Sequence, residues 1–338
     1  MSTFLTPYLK QAFSGLEFST DQAVHIFNYI LNGLAEDVEI SALLGAMAAR
    51  EETENEILGA IMAMRDKGHT ISAPENVIDC CGTGGDGVGS YNISTAVSLV
   101  IAGCGVPVAK HGNRAATSKS GAADILEASG VRLDAPAKIG EQSLIRDNIC
   151  FLMAPQYNPA ARHVAKVRQT LKARTIFNLL GPLLNPARPQ RQLIGVYDNK
   201  WAEPMARVLN NLGSRHVWIV HGHDGMDEIT VTGPSYITSL KDGVISSFVI
   251  TPEEYNIPRH SAESLKGGDA YENKKALEDL LNGKNSAYRD IVLLNAAAGL
   301  IVAGHSASMT DGLSAARDSI DNGRAQKSLQ ALINNSHL

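Results

Sequence analysis

Apolar residues keep two different rhythms along this chain, and the change comes near Pro74. Upstream of it, Ala23, Ile26, Phe27, Ile30 and Leu31 recur in steps of three and four, the spacing that lines up side chains on one face of a helix. The stripe predicts a helix over 21–34, with Ser19 and Thr20 placed to cap it. Two more helices are expected over 40–49 and 57–67. Thr53 and Glu56 form a capping-box pair ahead of the second, and Gly68 closes it. Downstream the apolar runs are short and continuous, at 77–81, 106–109, 149–153, 193–196 and 217–220. Runs without polar alternation, separated by helical stretches, are the pattern of strands buried on both faces of a mostly parallel sheet. Helical texture interrupts the alternation at 165–180 and returns at 274–281, 288–302 and 315–333, the last with a weak point at Gly323. A helical start followed by an α/β body is the fold this pattern describes.

Composition narrows the setting. With 338 residues the chain can bury a large core, in two domains or one elaborated domain. Thirty lysines and arginines against thirty-five aspartates and glutamates give a formal charge of −5, which argues against a protein that coats nucleic acid. Residues 1–10 lack a basic stretch with a long apolar run behind it, and no uncharged apolar run approaches membrane-spanning length. A cytoplasmic protein with no membrane partner is expected. Cys80, Cys81, Cys104 and Cys150 sit in apolar runs without C-x-x-C spacing, as buried free thiols of a reducing compartment would.

Candidate chemistry begins where the first apolar run of the α/β body ends. Gly82, Thr83, Gly84, Gly85, Asp86, Gly87, Val88, Gly89 and Ser90 include five glycines, and the helix-starting residues Asn92, Ser94 and Thr95 follow. A backbone free to take positive φ that leads into a helix N-terminus makes an anion site, because N–H groups and the helix dipole face the ligand. Two familiar loops are excluded. Gly82, Gly84 and Gly87 fit G-x-G-x-x-G, but Pro107, Lys110 and His111 stand about where an acidic residue should hold a ribose hydroxyl. The P-loop pattern fails because Val88 follows Gly87 where a lysine is required. Asp86 among the glycines, with Ser90, Asn92, Ser94 and Thr95 behind them, suits a phosphate or a hard metal ion rather than a bare turn.

The next apolar run leads into Lys110, His111, Gly112, Asn113, Arg114, Ala115, Ala116, Thr117, Ser118, Lys119, Ser120 and Gly121, ahead of a helical run at 122–128. One cation here would be an ordinary solvated side chain; four potential cations among small residues suit a polyphosphate. In open α/β sheets ligands bind outside the carboxyl ends of the strands, so both loops should face one site. A third group, Asp227 and Glu228, follows 217–220 and a turn-rich stretch from His221 to Gly225. Beside a diphosphate this pair suits Mg²⁺, which takes one or two carboxylates and fills its remaining positions with water and phosphate oxygens. His216, His221 and His223 lack both the helical spacing and the cysteine partners of a zinc site.

Taken in order, the stretches GTGGDGVGSYNIST, KHGNRAATSKSGAAD, VRQTLKARTIFNLLGPLLNP and GMDEIT closely resemble the anthranilate phosphoribosyltransferase family over nearly the whole chain. The resemblance implies an α/β protein: a small all-helical domain, 1–72 joined by a helical insertion at about 165–188, and a large α/β domain with a mostly parallel central sheet, 73–164 and 189–338. It implies a homodimer that contacts through the helical domains. The implied reaction, in tryptophan biosynthesis, moves the 5-phosphoribosyl group from phosphoribosyl diphosphate to the amino group of anthranilate, releasing diphosphate with help from two Mg²⁺ ions per subunit. Carried over by position, Gly82, Gly85, Asp86, Ser90, Asn92, Ile93, Ser94 and Thr95 hold phosphoribosyl diphosphate. Lys110, His111, Gly112, Asn113, Arg114, Ala115, Ala116, Thr117, Ser118 and Ala122 close around its phosphates. Gly82, Asn113 and Arg168 meet anthranilate, Arg168 through the carboxylate. Ser94, Asp227 and Glu228 place magnesium, and Lys110, Lys119 and Asp86 are the catalytic candidates. Asn158 stands where the family usually has the histidine of His-Pro-Ala. Two other readings are a pyrimidine nucleoside phosphorylase, which usually carries a further carboxyl-terminal domain, and a non-enzymatic nucleic-acid-binding relative, which should have broad basic surfaces and a degraded glycine loop.

Overall fold

The computed structural model describes residues 4–115 and 119–338. The chain forms two compact units, one of Met1–Thr70 with Pro155–Pro186 and one of Ile71–Ala154 with Ala187–Leu338. The first is helical: α1 (Thr6–Phe13), α2 (Thr20–Leu31), α3 (Asp37–Ala49) and α4 (Glu54–Lys67), to which the chain returns through the one-turn α8 (Ala154–Tyr157) to add α9 (Arg162–Leu171) and α10 (Phe177–Leu180). Helix α2 buries the whole apolar stripe from Ala23 to Leu31. The capping box of α4 forms, Glu56 N donating to Thr53 Oγ1 at 3.4 Å and Thr53 N to Glu56 Oε2 at 3.0 Å. Glu56 is also fully buried, accepts from Phe18 N at 2.9 Å and pairs with the Arg50 guanidinium. A buried carboxylate is tolerated only with partners of this kind, and here they tie the approach to α2 to the first turn of α4.

The second unit is built on one seven-stranded sheet: β1 (Ile78–Gly82), β2 (Val108–Gly112), β3 (Ile149–Met153), β4 (Arg191–Gly195), β5 (His216–Gly222), β6 (Ser235–Lys241) and β7 (Val244–Ile250). Their order is β3-β2-β1-β4-β5-β6-β7; the first five are parallel, and β6 and β7 complete the sheet antiparallel. Eight helices accompany it among the described residues: α5 (Ile93–Gly103), α6 (Ala122–Ala128), α7 (Ala137–Asp147), α11 (Ala202–Asn211), α12 (Ala270–Leu281), α13 (Ala287–Val302), α14 (Met309–Asp321) and α15 (Arg324–Ser336). Helices α5 and α13 pack on each other and on the parallel strands, and Val97, Val100, Ile291 and Leu294 join Ile78 and Leu193 in the core. Gly323, at φ 69°, divides the helical stretch 315–333 between α14 and α15. No helix among the described residues is long and apolar enough to cross a membrane.

Strand order reverses at β1. The chain moves outward from β1 through β2 to β3, then returns to place β4 on the opposite side of β1. The carboxyl ends of β1 and β4 therefore flank the crevice in which sheets of this type receive ligands.

Candidate active site

Gly82 ends β1 and lies in register with Gly195, which ends β4. A Cβ on Gly195 would run into the Asp227 backbone carbonyl, and one on Gly82 into the Asp227 carboxylate, so a side chain at either strand end would displace Asp227. Two adjacent strand ends without side chains thus let the acidic loop that follows β5 settle over the switch point. Beyond Gly82 the loop turns through Gly84, Gly85, Gly87 and Gly89, all at positive φ between 62° and 77°. The Gly84 N–H donates to Asp227 Oδ2 at 2.8 Å, while Asp86 Oδ1 accepts from Val88 N at 3.1 Å.

Three carboxyl groups meet here. Burial, reinforced by the Asp86 charge, pushes Asp227 up to about 7, and Asp86 also shares a hydrogen bond with it. Burial likewise raises Glu228 well above the usual carboxylate range, with Asp227 adding to the rise, while Lys110 and a hydrogen bond from the Ser94 N–H oppose it. A cation between such groups relieves both the repulsion and the cost of burying charge. Among the described residues no group of three or more His, Cys, Asp or Glu is arranged to hold a metal ion by itself. Asp227 and Glu228 fit magnesium as a partial set that leaves positions for water and phosphate oxygens.

Asn92 caps α5 by position, yet its side chain does not cap the helix. Its Nδ2 donates to Ser120 O at 3.0 Å and its Oδ1 accepts from Asn273 Nδ2 at 2.9 Å, which ties the glycine loop to the basic loop and to α12. Thr95 Oγ1 in the first turn is buried and has no partner among the described residues. A buried hydroxyl at a helix N-terminus is a ready donor to an anion. On the far side of the loop, Ser90 bridges to Lys266 and Gly267 N donates to Gly89 O at 2.9 Å.

The basic loop leaves β2 at Gly112, where a Cβ would lie 2.8 Å from the Phe151 ring and 3.0 Å from the Ala122 methyl. Lys110 is buried and donates to Cys80 O at 2.8 Å, so its charge acts at the strand ends rather than in open solvent. The buried Asp79 accepts from His111 N at 3.3 Å. Asn113 Oδ1 accepts from Arg114 N at 2.8 Å. The Arg114 guanidinium engages Asp124 at 3.0 Å and Glu127 at 2.7 Å, and Ala115 N donates to Asp124 Oδ2 at 2.9 Å, so acids of α6 hold the loop. Lys119 is exposed. Ala116, Thr117 and Ser118 lie outside the described residues. Arg168, in the helical unit, is an exposed residue of α9 with its guanidinium 5.6 Å from the Phe177 ring centroid. In the same unit Asn158 Nδ2 donates to Leu184 O at 3.5 Å.

Residues 74–326 match the "Glycosyl transferase family, a/b domain", and residues 6–68 the "Glycosyl transferase family, helical bundle domain". Anthranilate phosphoribosyltransferase of Rhodopseudomonas palustris (strain BisA53) is 49% identical over 321 residues, 95% of this chain and 94% of that protein. The enzyme of the same name from Paramagnetospirillum magneticum is 50% identical over 94% of this chain and 92% of its own length. This chain belongs to the anthranilate phosphoribosyltransferase family. The crystal structure of the Thermus thermophilus member superposes with a TM-score of 0.91 at 37% identity, covering 98% of this chain and 99% of that one. The Saccharomyces cerevisiae member, solved in complex with phosphoribosyl diphosphate and Mg, gives 0.91 at 26% identity and covers 100% of this chain and 99% of its own.

Several residues around the candidate site carry little signal in the sequence. Gly195 ends an ordinary apolar run, and only the tertiary approach of Asp227 makes it special. Asp79 sits inside β1, and Asn273 and Tyr288 sit in helices that read as closing structure. A polar residue inside an apolar run was the one available cue for Asp79.

Proposed function

We propose that this chain transfers the 5-phosphoribosyl group of phosphoribosyl diphosphate to the amino group of anthranilate, releasing diphosphate, as a step of tryptophan biosynthesis. The observation that carries the reading is the acidic loop of Asp227 and Glu228 lying against the glycine loop and the first turn of α5, at the switch point of the sheet. Cleavage at the anomeric carbon passes through a transition state with oxocarbenium character, so departure of diphosphate is the step to assist. Magnesium, when bound, supplies positive charge for that departure. Asp227 and Glu228 would hold it with Ser94, two ions to each subunit. The glycine-loop N–H groups and the Thr95 hydroxyl bind phosphate oxygens. Lys110 and Lys119 add charge where the leaving group becomes more negative, and Asp86 orders the loop. Arg168 pairs with the anthranilate carboxylate through its planar fork, and Gly82 and Asn113 meet the ring. The aromatic amine is uncharged at neutral pH and already nucleophilic, so it attacks without prior deprotonation; the proton its nitrogen sheds once the N–C bond has formed passes to water or to the departing diphosphate.

We further propose a cytoplasmic homodimer joined through its helical units. Four free cysteines support a reducing compartment, and exposed Phe13, Leu16, Leu34 and Val38 on the helical unit support pairing there. Formation of phosphoribosylanthranilate, followed by mass, tests the reaction; phosphate-dependent cleavage of thymidine or uridine in its place would reject it. Arg168→Ala tests the acceptor assignment. The apparent KM for anthranilate should rise about 10- to 100-fold with little change for phosphoribosyl diphosphate, and equal effects on both would remove Arg168 from that role.

A further inference from the structure

Asn295 lies in the middle of the sixteen-residue α13, is fully buried, and has Leu293, Leu294, Ala296, Ala297 and Ala298 around it in sequence. A side-chain amide in such a place is unfavourable unless its polar atoms are partnered. Its Oδ1 accepts from Ile229 N at 2.9 Å, and its Nδ2 donates to Ile229 O at 2.8 Å and to Ile291 O at 2.9 Å. The two bonds to Ile229 clamp both polar groups of one backbone residue, as a neighbouring strand would. Ile229 follows Glu228 directly.

Two turns earlier on α13, buried Tyr288 donates to Asn92 O at 3.2 Å and stacks on Tyr91 with ring centroids 4.5 Å apart. One helix therefore grips both halves of the site. Tyr288 holds the start of α5, and Asn295 holds the segment that presents Glu228 to the Ser94 N–H of that same first turn.

We propose that Asn295 is a positioning residue that keeps the Asp227–Glu228 pair in register with the first turn of α5, so that the pair binds magnesium in the geometry the transfer requires. The proposal rests on the assignment of that pair to magnesium. Asn295→Leu keeps the branched side-chain skeleton, adds bulk and removes both bonds to Ile229. In the full-length enzyme, the Mg²⁺ concentration for half-maximal rate should rise about tenfold, with the rate recovering at high Mg²⁺ and KM for anthranilate moving less than about twofold. Asn295→Ser, whose hydroxyl stands one bond short of both Ile229 groups, removes the same bonds without added bulk, should shift the magnesium response in the same direction and serves if the leucine variant does not fold. An unchanged magnesium titration in the folded leucine variant, or in the serine variant when leucine fails, overturns the proposal. So does a loss of rate that Mg²⁺ does not restore. Asp227→Asn run in parallel separates the two claims: if it also leaves the titration unchanged, the metal assignment falls and takes the proposal with it; if it shifts while the Asn295 variants do not, only the role of Asn295 falls.

Discussion

Asp227 shows how much one side chain's placement decides. Its backbone carbonyl fills the space over Gly195, its carboxylate fills the space over Gly82 and takes the Gly84 N–H, and its charge is opposed by Asp86. Replacing it with asparagine keeps the shape and the hydrogen-bond acceptor while removing the charge. Asp227→Asn should therefore fold, and should raise the Mg²⁺ requirement for half-maximal rate by more than about tenfold; an identical titration would take Asp227 out of the metal site. At this scale the sequence was readable where chemistry is local. An aspartate within glycines and a pair of acids after a strand stand out in one dimension. Gly195, Asp79 and Asn295 do not, because each matters through a partner more than thirty positions away.

The elements carry those residues by their register. The five continuous apolar runs are the five parallel strands, and 149–153 coincides with β3. Strands β6 and β7 escaped that reading for a physical reason: Tyr236 faces solvent between buried neighbours in β6, and most of β7 is exposed, so neither forms a continuous run. Register also makes two predictions. Gly195→Ala would put a methyl into the Asp227 carbonyl, so the acidic loop must shift; activity should drop at least about tenfold and stability by about 1–3 kcal/mol, measured by turnover and denaturant unfolding. A fully active Gly195→Ala enzyme would show that the loop's close approach is not required.

His216 is the second case. It lies beside Arg191 of β4 and Lys241 of β6, and burial first, then the Lys241 and Arg191 charges, push it from 6.5 down to about 4 against an opposing effect of Asp242. Between those values the unfolded chain takes up a proton that the folded state refuses, so stability falls as pH drops through this window. The loss should be about 1–3 kcal/mol, and His216→Gln should flatten it. A pH–stability curve unaffected by that substitution would mean His216 titrates normally in the folded protein.

In the molecule as a whole, three loops come to one end of one sheet. Strand order reverses at β1, so the loops after β1 and β4 diverge there, and the segment after β5 crosses back over both strand ends. Helix α13 then braces that segment and the start of α5 together. The fold class was legible because a helical start and alternating buried runs leave a coarse pattern. The convergence of the loops was legible only as an expectation from sheet topology, since strand order is not written in any one segment. The proposed function requires this convergence to make a magnesium-dependent site for departure of diphosphate during phosphoribosyl transfer. The direct measurement is anthranilate fluorescence after addition of phosphoribosyl diphosphate, with Mg²⁺ present and with Mg²⁺ removed by a chelator. Fluorescence should decay only when enzyme, phosphoribosyl diphosphate and Mg²⁺ are together; no decay with all three, or equal decay without Mg²⁺, would contradict it.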